Sequence, residues 1–119
     1  MDRKELGAFG EKKAAAYLRR KGYKIVAANY SCRFGEIDII ASKGGYIVFA
    51  EVKLRKNADF AEAREFVNYA KQQRIIKTAQ MWLSEGDCLL QPRFDVIEVY
   101  APGGIFGAVS INHIENAFM

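Results

Sequence analysis

The run Tyr46-Ile47-Val48-Phe49-Ala50 is the densest apolar stretch of the chain, and it continues through Glu51-Val52-Lys53-Leu54-Arg55 without a turn residue. A strand with one face in water alternates apolar and polar residues, whereas a near-continuous apolar strand is buried on both faces in the middle of a sheet. Such a strand dictates much of what surrounds it. It needs a neighbouring strand along each edge and a covering layer on each face, which is the plan of an α/β sandwich.

The flanking sequence offers those parts. From about Asp2 to Lys21, Leu6, Gly10, Ala14, Tyr17 and Leu18 recur at helical spacing, Lys12, Lys13, Arg19 and Arg20 take the other faces, and Gly22 is a natural stop. Tyr23 to Ala27 is rich in β-formers, Asn29 to Arg33 is turn-like, and Gly35 to Ala41 reads as a second strand. Gly44-Gly45 fits a tight hairpin turn into the strand from Tyr46 to about Arg55. Arg55 to Asn68 has no clean period and is expected to be a loop or short helical lead-in, where a substrate-contacting segment could sit. Asn68 can cap a helix to about Glu85 with a stripe of Tyr69, Ile76, Ala79 and Leu83. Phe94 to Tyr100 alternates as a strand, Ala101 to Gly104 is a turn, and Ile105 to Ile111 is expected as the last strand. The order helix, three strands, helix, two strands predicts a three-layer-like sandwich of a central mixed sheet flanked by helices.

With 119 residues, 50% of them hydrophobic, the chain can fill one core and not two, so a single domain over 1–119 is expected. No apolar run approaches the ~20 residues of a bilayer crossing, and the amino terminus opens charged, so a cytoplasmic protein without a membrane partner is expected. Cys32 and Cys88 lie far apart and form no C-x-x-C pair, which points to free thiols. A net charge of +4 suits a polyanionic partner without demanding one. His113 is the only histidine, which argues against triads and histidine-based nuclease sites and leaves hydrolysis to carboxylates and lysine, with or without a metal.

Side chains alternate along a strand, so Ile47, Phe49, Glu51 and Lys53 share one face of the third strand, which begins apolar and ends charged. On the second strand Glu36, Asp38 and Ile40 are expected to share a face, and a hairpin centred on Gly44-Gly45 sets Asp38 opposite a residue near Glu51. Two ionised carboxylates ~4 Å apart repel by about 4 kcal/mol at an effective dielectric of ~20, so something must neutralise them. Mg²⁺ or Mn²⁺ does so with one or two protein carboxylates, leaving its other positions to water and phosphate oxygens. Lys53, beside Glu51, can orient a water and offset charge on a phosphoryl transition state. Set against this, an isolated E-x-K is usually a plain ion pair at a strand end.

Gly10-Glu11, Lys21-Gly22-Tyr23, Arg33-Phe34-Gly35-Glu36-Ile37-Asp38-Ile39-Ile40, Val48-Phe49-Ala50-Glu51-Val52-Lys53 and Arg93-Phe94-Asp95-Val96 together resemble the YraN-like (UPF0102) family of bacterial proteins over nearly the whole chain. That family's pattern looks like the archaeal Holliday-junction resolvases and the restriction-endonuclease-like PD-(D/E)xK fold. The resemblance implies Asp38 and Glu51 as metal ligands, Lys53 as the water-orienting group and Glu11 as an accessory acid. It further implies a nuclease acting on DNA, including branched or structured DNA, and a homodimer. Ile37 stands where the pattern's name has proline.

Other residues have two readings each. Glu11 either points toward Asp38 and Glu51 or is a surface acid, and Glu36 competes with Asp38 as the second-strand ligand. Arg33, Arg55 and Lys56 flank the proposed site and suit phosphate positioning or solubility equally. Lys71, Arg74 and Lys77 could follow a phosphate backbone or form a solvated helix face, and Gln73 either reaches the site or sits at a helix flank. Tyr30 and Phe34 could stack on an unpaired base, although packing is the commoner use of aromatics. Trp82 is expected in the core. Two functions follow: a metal-dependent nuclease, or a nuclease-like module that holds nucleic acid or a protein without cutting.

Overall fold

The computed structural model of the chain describes residues 2–55 and 67–119. Lys56, and most of the segment expected as a loop or lead-in between Arg55 and Asn68, lie outside the described residues. Helix α1, Arg3–Arg20, starts at Asp2, whose carboxylate accepts the Glu5 N–H at 2.8 Å. Arg19 and Arg20 in its last turn suit the negative end of the helix dipole. Gly10, Ala14 and Leu18, four apart, form its buried stripe, and the small residues bring it close to the sheet. A Cβ on Gly10 would stand 3.4 Å from that of Leu54. Gly22, at φ +93°, turns the chain out of the helix.

Three strands follow, β1 Lys24–Cys32, β2 Gly35–Lys43 and β3 Tyr46–Arg55, then helix α2 Tyr69–Ser84, β4 Gln91–Tyr100 and β5 Ser110–Ile114. Among the described residues the strands form a five-stranded sheet in the order β1-β2-β3-β4-β5. Pairing is antiparallel except between β3 and β4, which run parallel and are joined by the crossover through α2. The expected mixed sheet is therefore present, with the apolar run from Tyr46 at its centre.

Each face of β3 feeds a separate core. Ile47 and Phe49 pack with Ile75, Ile76, Ala79 and Phe94 under α2, while Val48 and Ala50 pack with Leu18, Ile39, Ile97 and Val99 under α1. The helices thus cover opposite faces, giving three layers. Phe49, wholly buried, stacks on Phe94 with centroids 5.5 Å apart and meets Trp82 edge-on at 5.8 Å.

Four local expectations are corrected. The turn expected at Asn29 to Arg33 is confined to Arg33-Phe34, because β1 runs on to Cys32. The last strand begins at Ser110; Gly104–Phe106 is a 3-10 turn instead. The glycines explain that turn, since a Cβ on Gly107 would stand 2.8 Å from the Gly103 Cα, an approach other residues forbid. Tyr69 is 73% exposed, because burial along α2 begins with Ile75 and Ile76 and Tyr69 lies beyond the stretch they pack on. Finally, β2 does not alternate strictly: Glu36, Asp38 and Ile40 lie on the α2 side as expected, but Ile37 packs in that core too. Tyr30 pairs with Ile37 and Ala28 with Ile39, leaving Asn29 and Asp38 as the unpaired positions between them. Asn29 has φ +53°, and Ile37 and Ile40 share the core under α2.

Candidate active site

The end of the β2–β3 pairing positions the candidate acids. The β2–β3 ladder ends at Ile39–Ala50, one residue before Asp38 and Glu51, so the two strands part where the carboxylates stand. The freed Val52 N–H donates to Asp38 Oδ2 at 2.8 Å. Asp38, Glu51, Glu36, Lys71 and Arg74 line one pocket of about 120 Å³ between the sheet and α2. Glu51 is 7% exposed. Both Lys71 Nζ, at 2.7 Å, and Lys53 Nζ, at 3.6 Å, approach its Oε1.

Burial, followed by the charge of Glu51, pushes the Asp38 carboxyl up to about 7, with Glu11 and Glu36 adding to the repulsion and the Val52 N–H opposing it. Glu11 on α1 is raised by burial and by the charges of Glu36 and Glu51, and its bond with the Asn29 side chain works the other way. Burial, with the neighbouring Lys71, lowers Lys53. Burial acts on Lys71 in the same direction, yet its bond to Glu51 and the charge of that carboxylate hold it above the usual lysine range. Carboxylates at four positions therefore crowd one region at an energetic cost, the situation a divalent cation relieves.

Asp38 and Glu51 fit a hard cation such as Mg²⁺ or Mn²⁺, which takes one or two protein carboxylates and fills its shell with water or phosphate oxygens. They do not fit a closed zinc site. Among the described residues no group of three or more His, Cys, Asp and Glu side chains is arranged to hold an ion by itself.

The remaining expected residues are placed as follows. Arg74, which is exposed, and Lys71, which is half-buried, both line the acidic pocket. Gln73 is half-buried and is not among the residues lining the pocket. Arg33 is exposed, its guanidinium 4.8 Å from the centre of the Phe34 ring. Arg55 turns into a buried pair with Glu98, Nε to Oε2 at 3.0 Å, and Asn112 Nδ2 donates to the other oxygen at 2.8 Å. Tyr30 packs beside the α2-side core and donates its hydroxyl to Glu85 at 2.7 Å.

A second polar cluster escaped the sequence reading. Asp95, fully buried on β4, accepts both Nε and an Nη of Arg93, at 2.9 and 2.8 Å, and the Asn116 N–H at 3.0 Å. His113 Nε2 lies 2.6 Å from Asp95 Oδ2, and its Nδ1 lies 3.1 Å from the Tyr17 hydroxyl on α1. Arg93 also donates to the Tyr23 hydroxyl at 2.7 Å. Burial raises the Asp95 carboxyl, but the bonds from His113, Arg93 and Asn116 outweigh it and hold the group below its usual range. The available signal was Arg93-Phe94-Asp95, which puts opposite charges two residues apart, on one face of a strand.

The model of "Uncharacterised protein family UPF0102" matches residues 10–99. A UPF0102 protein of Caldanaerobacter subterraneus is 45% identical over 119 residues, covering 99% of this chain and 98% of that protein. One of Alkaliphilus oremlandii is 48% identical over 120 residues, covering 97% and 98%. One of Clostridioides difficile is 45% identical over 119 residues, covering 99% and 100%.

Proposed function

The chain belongs to the UPF0102 family, and from the site it carries we propose that it is a metal-dependent nuclease hydrolysing phosphodiester bonds in DNA, with branched or structured DNA as the preferred class. One observation carries this reading: Asp38 and Glu51 converge where β2 and β3 part, with Lys53 beside Glu51 on the pocket side of β3. The likeness of the motifs to Holliday-junction resolvases supplies the choice of substrate.

Asp38 and Glu51 would hold Mg²⁺ or Mn²⁺, which when bound supplies the positive charge that neutralises these acids and draws in phosphate oxygens. Lys53, lowered by burial, holds a water by hydrogen bond and faces the charge that builds on the phosphoryl oxygens. The Val52 N–H fixes the Asp38 carboxylate, so its second oxygen points in a set direction. Glu11, whose carboxyl burial raises above its usual range, is suited to accept a proton. Arg74, an exposed residue of the pocket lining, would meet a non-bridging phosphate oxygen.

A second reading, a module that binds nucleic acid without cutting, draws on the Lys71–Glu51 pair, which neutralises one acid without an ion. Purified protein incubated with plasmid, single-stranded, flap and four-way-junction DNA separates the two. Cutting that needs Mg²⁺ or Mn²⁺, stops with EDTA and falls about 10²-fold or more in Asp38→Ala and Lys53→Ala is expected. Equal cutting by wild type and variants would mean contamination and end the assignment. Absence of cutting with binding that weakens by about 0.9 log units per phosphate contact for each tenfold rise in salt favours the module.

A further inference from the structure

The most heavily occupied atom of the pocket is Glu51 Oε1. It carries the ammonium of Lys71 at 2.7 Å and that of Lys53 at 3.6 Å, while the Glu51 side chain is only 8% exposed. The two lysines differ in how they are held. Lys53 springs from the central strand, and its position follows from β3. Lys71 comes from the first turn of α2, where the Asn68 side chain accepts its N–H at 2.9 Å, so the backbone is anchored while the side chain, 36% exposed, reaches across the pocket. A lysine stem has four rotatable bonds, and Arg74, one turn further along the helix, also lines the pocket.

We propose that Lys71 is a resident counter-cation which occupies, on Glu51, the place a divalent cation needs, so that the Lys71–Glu51 pair and cation binding exclude one another. This rests on the metal-dependent reading of the site and adds its regulation. Both charges seek the same oxygen of a nearly buried carboxylate, and a dication set there would face the Lys71 ammonium at contact range. Binding therefore requires Lys71 to swing out toward the pocket mouth, where with Arg74 it forms a pair of cations suited to one phosphate group. By linkage, a phosphate that holds Lys71 at the mouth strengthens cation binding, so ion and substrate enter the site together. A free pocket would then keep its acids neutralised without retaining a metal.

Mn²⁺ alone is the probe, titrated into the metal-free protein and followed by electron paramagnetic resonance of the free ion and by calorimetry. Lys71→Met keeps most of the stem and removes the charge; Lys71→Gln keeps a neutral group that can still bond Glu51, and guards against misfolding of the first variant. Both are expected to bind Mn²⁺ about tenfold tighter than wild type, and Lys71→Arg, which restores a cation, within about twofold of it. Equal or weaker binding by the Met and Gln variants, or Arg binding as tightly as Met, overturns the proposal and leaves the metal site standing. Failure of wild type and all three variants to bind Mn²⁺ removes the metal-dependent reading along with it.

Discussion

Asp38 is the residue where function and stability pull apart. Its folded carboxyl titrates near 7 because burial and the charge of Glu51 disfavour its ionised form. The native state therefore holds a proton that the unfolded chain gives up near the usual aspartate range, and the sign follows. The protonated group's contribution to stability is complete below about 3.9, and it is lost as pH rises through about 7. A shift of that size converts to about 4 kcal/mol as a ceiling, and solvent at this half-buried side chain reduces it to roughly 1–3 kcal/mol. Asp38→Asn retains an oxygen for the Val52 N–H without the charge. Urea unfolding of the metal-free proteins should show the variant more stable by that amount at pH 8, with the difference fading toward pH 4. A difference independent of pH would show that the charge is not the source. The approach of Asp38 to Glu51 was legible because a hairpin on Gly44-Gly45 makes their positions sum alike. Lys71 on Glu51 was not, since that contact depends on how the crossover sets α2 over the sheet.

At the level of elements, the Asp95 cluster ties α1, the end of β1's lead-in, β4, β5 and the segment after it through Tyr17, Tyr23, Arg93, His113 and Asn116. Removing one partner of a buried charge network leaves the others desolvated and unpaired, at a cost of about 3–5 kcal/mol. Asp95→Ala should lose that much in chemical denaturation. The wild-type cluster should also weaken as pH falls, because a carboxyl held below its usual range contributes stability above that range and loses it on protonation. A loss under about 1 kcal/mol would mean that packing, and not this network, fixes β5. Elements built on hydrophobic period were read well: α1, β3 and α2 match their expected spans within a residue or two. The misreadings fall where chain contacts outweigh period. Asn29 looks like a turn residue and does adopt a left-handed conformation, but pairing with β2 carries the strand past it. Ile105 and Phe106 look like strand residues, but the Gly103–Gly107 crossing holds them in a tight turn, with Phe106 95% exposed.

For the whole molecule, the two cores of the described residues lie on opposite faces of the sheet. Whether they form one cooperative unit, as chain length led us to expect, turns on β3, whose alternate residues serve both. Ile47 and Phe49 cannot keep their places under α2 if Val48 and Ala50 lose theirs under α1, because one backbone carries all four. Damage on one face should therefore be felt in full on the other. Trp82 is the only tryptophan and belongs to the α2 side, in edge contact with Phe49, so its fluorescence reports the core under α2. Leu18 is fully buried in the α1 core. Leu18→Ala should destabilise the protein by about 2–5 kcal/mol through lost burial and the cavity left behind. The Trp82 fluorescence transition in urea should move to lower denaturant by the same amount as the far-ultraviolet circular dichroism transition, with the slope unchanged. A Trp82 transition that stays in place while the dichroism splits into two steps would show the layers unfolding separately. The acidic pocket, lying on the α2 side, would then keep its geometry in a protein whose α1 layer had melted, and only Glu11 among the crowded acids would be lost from it.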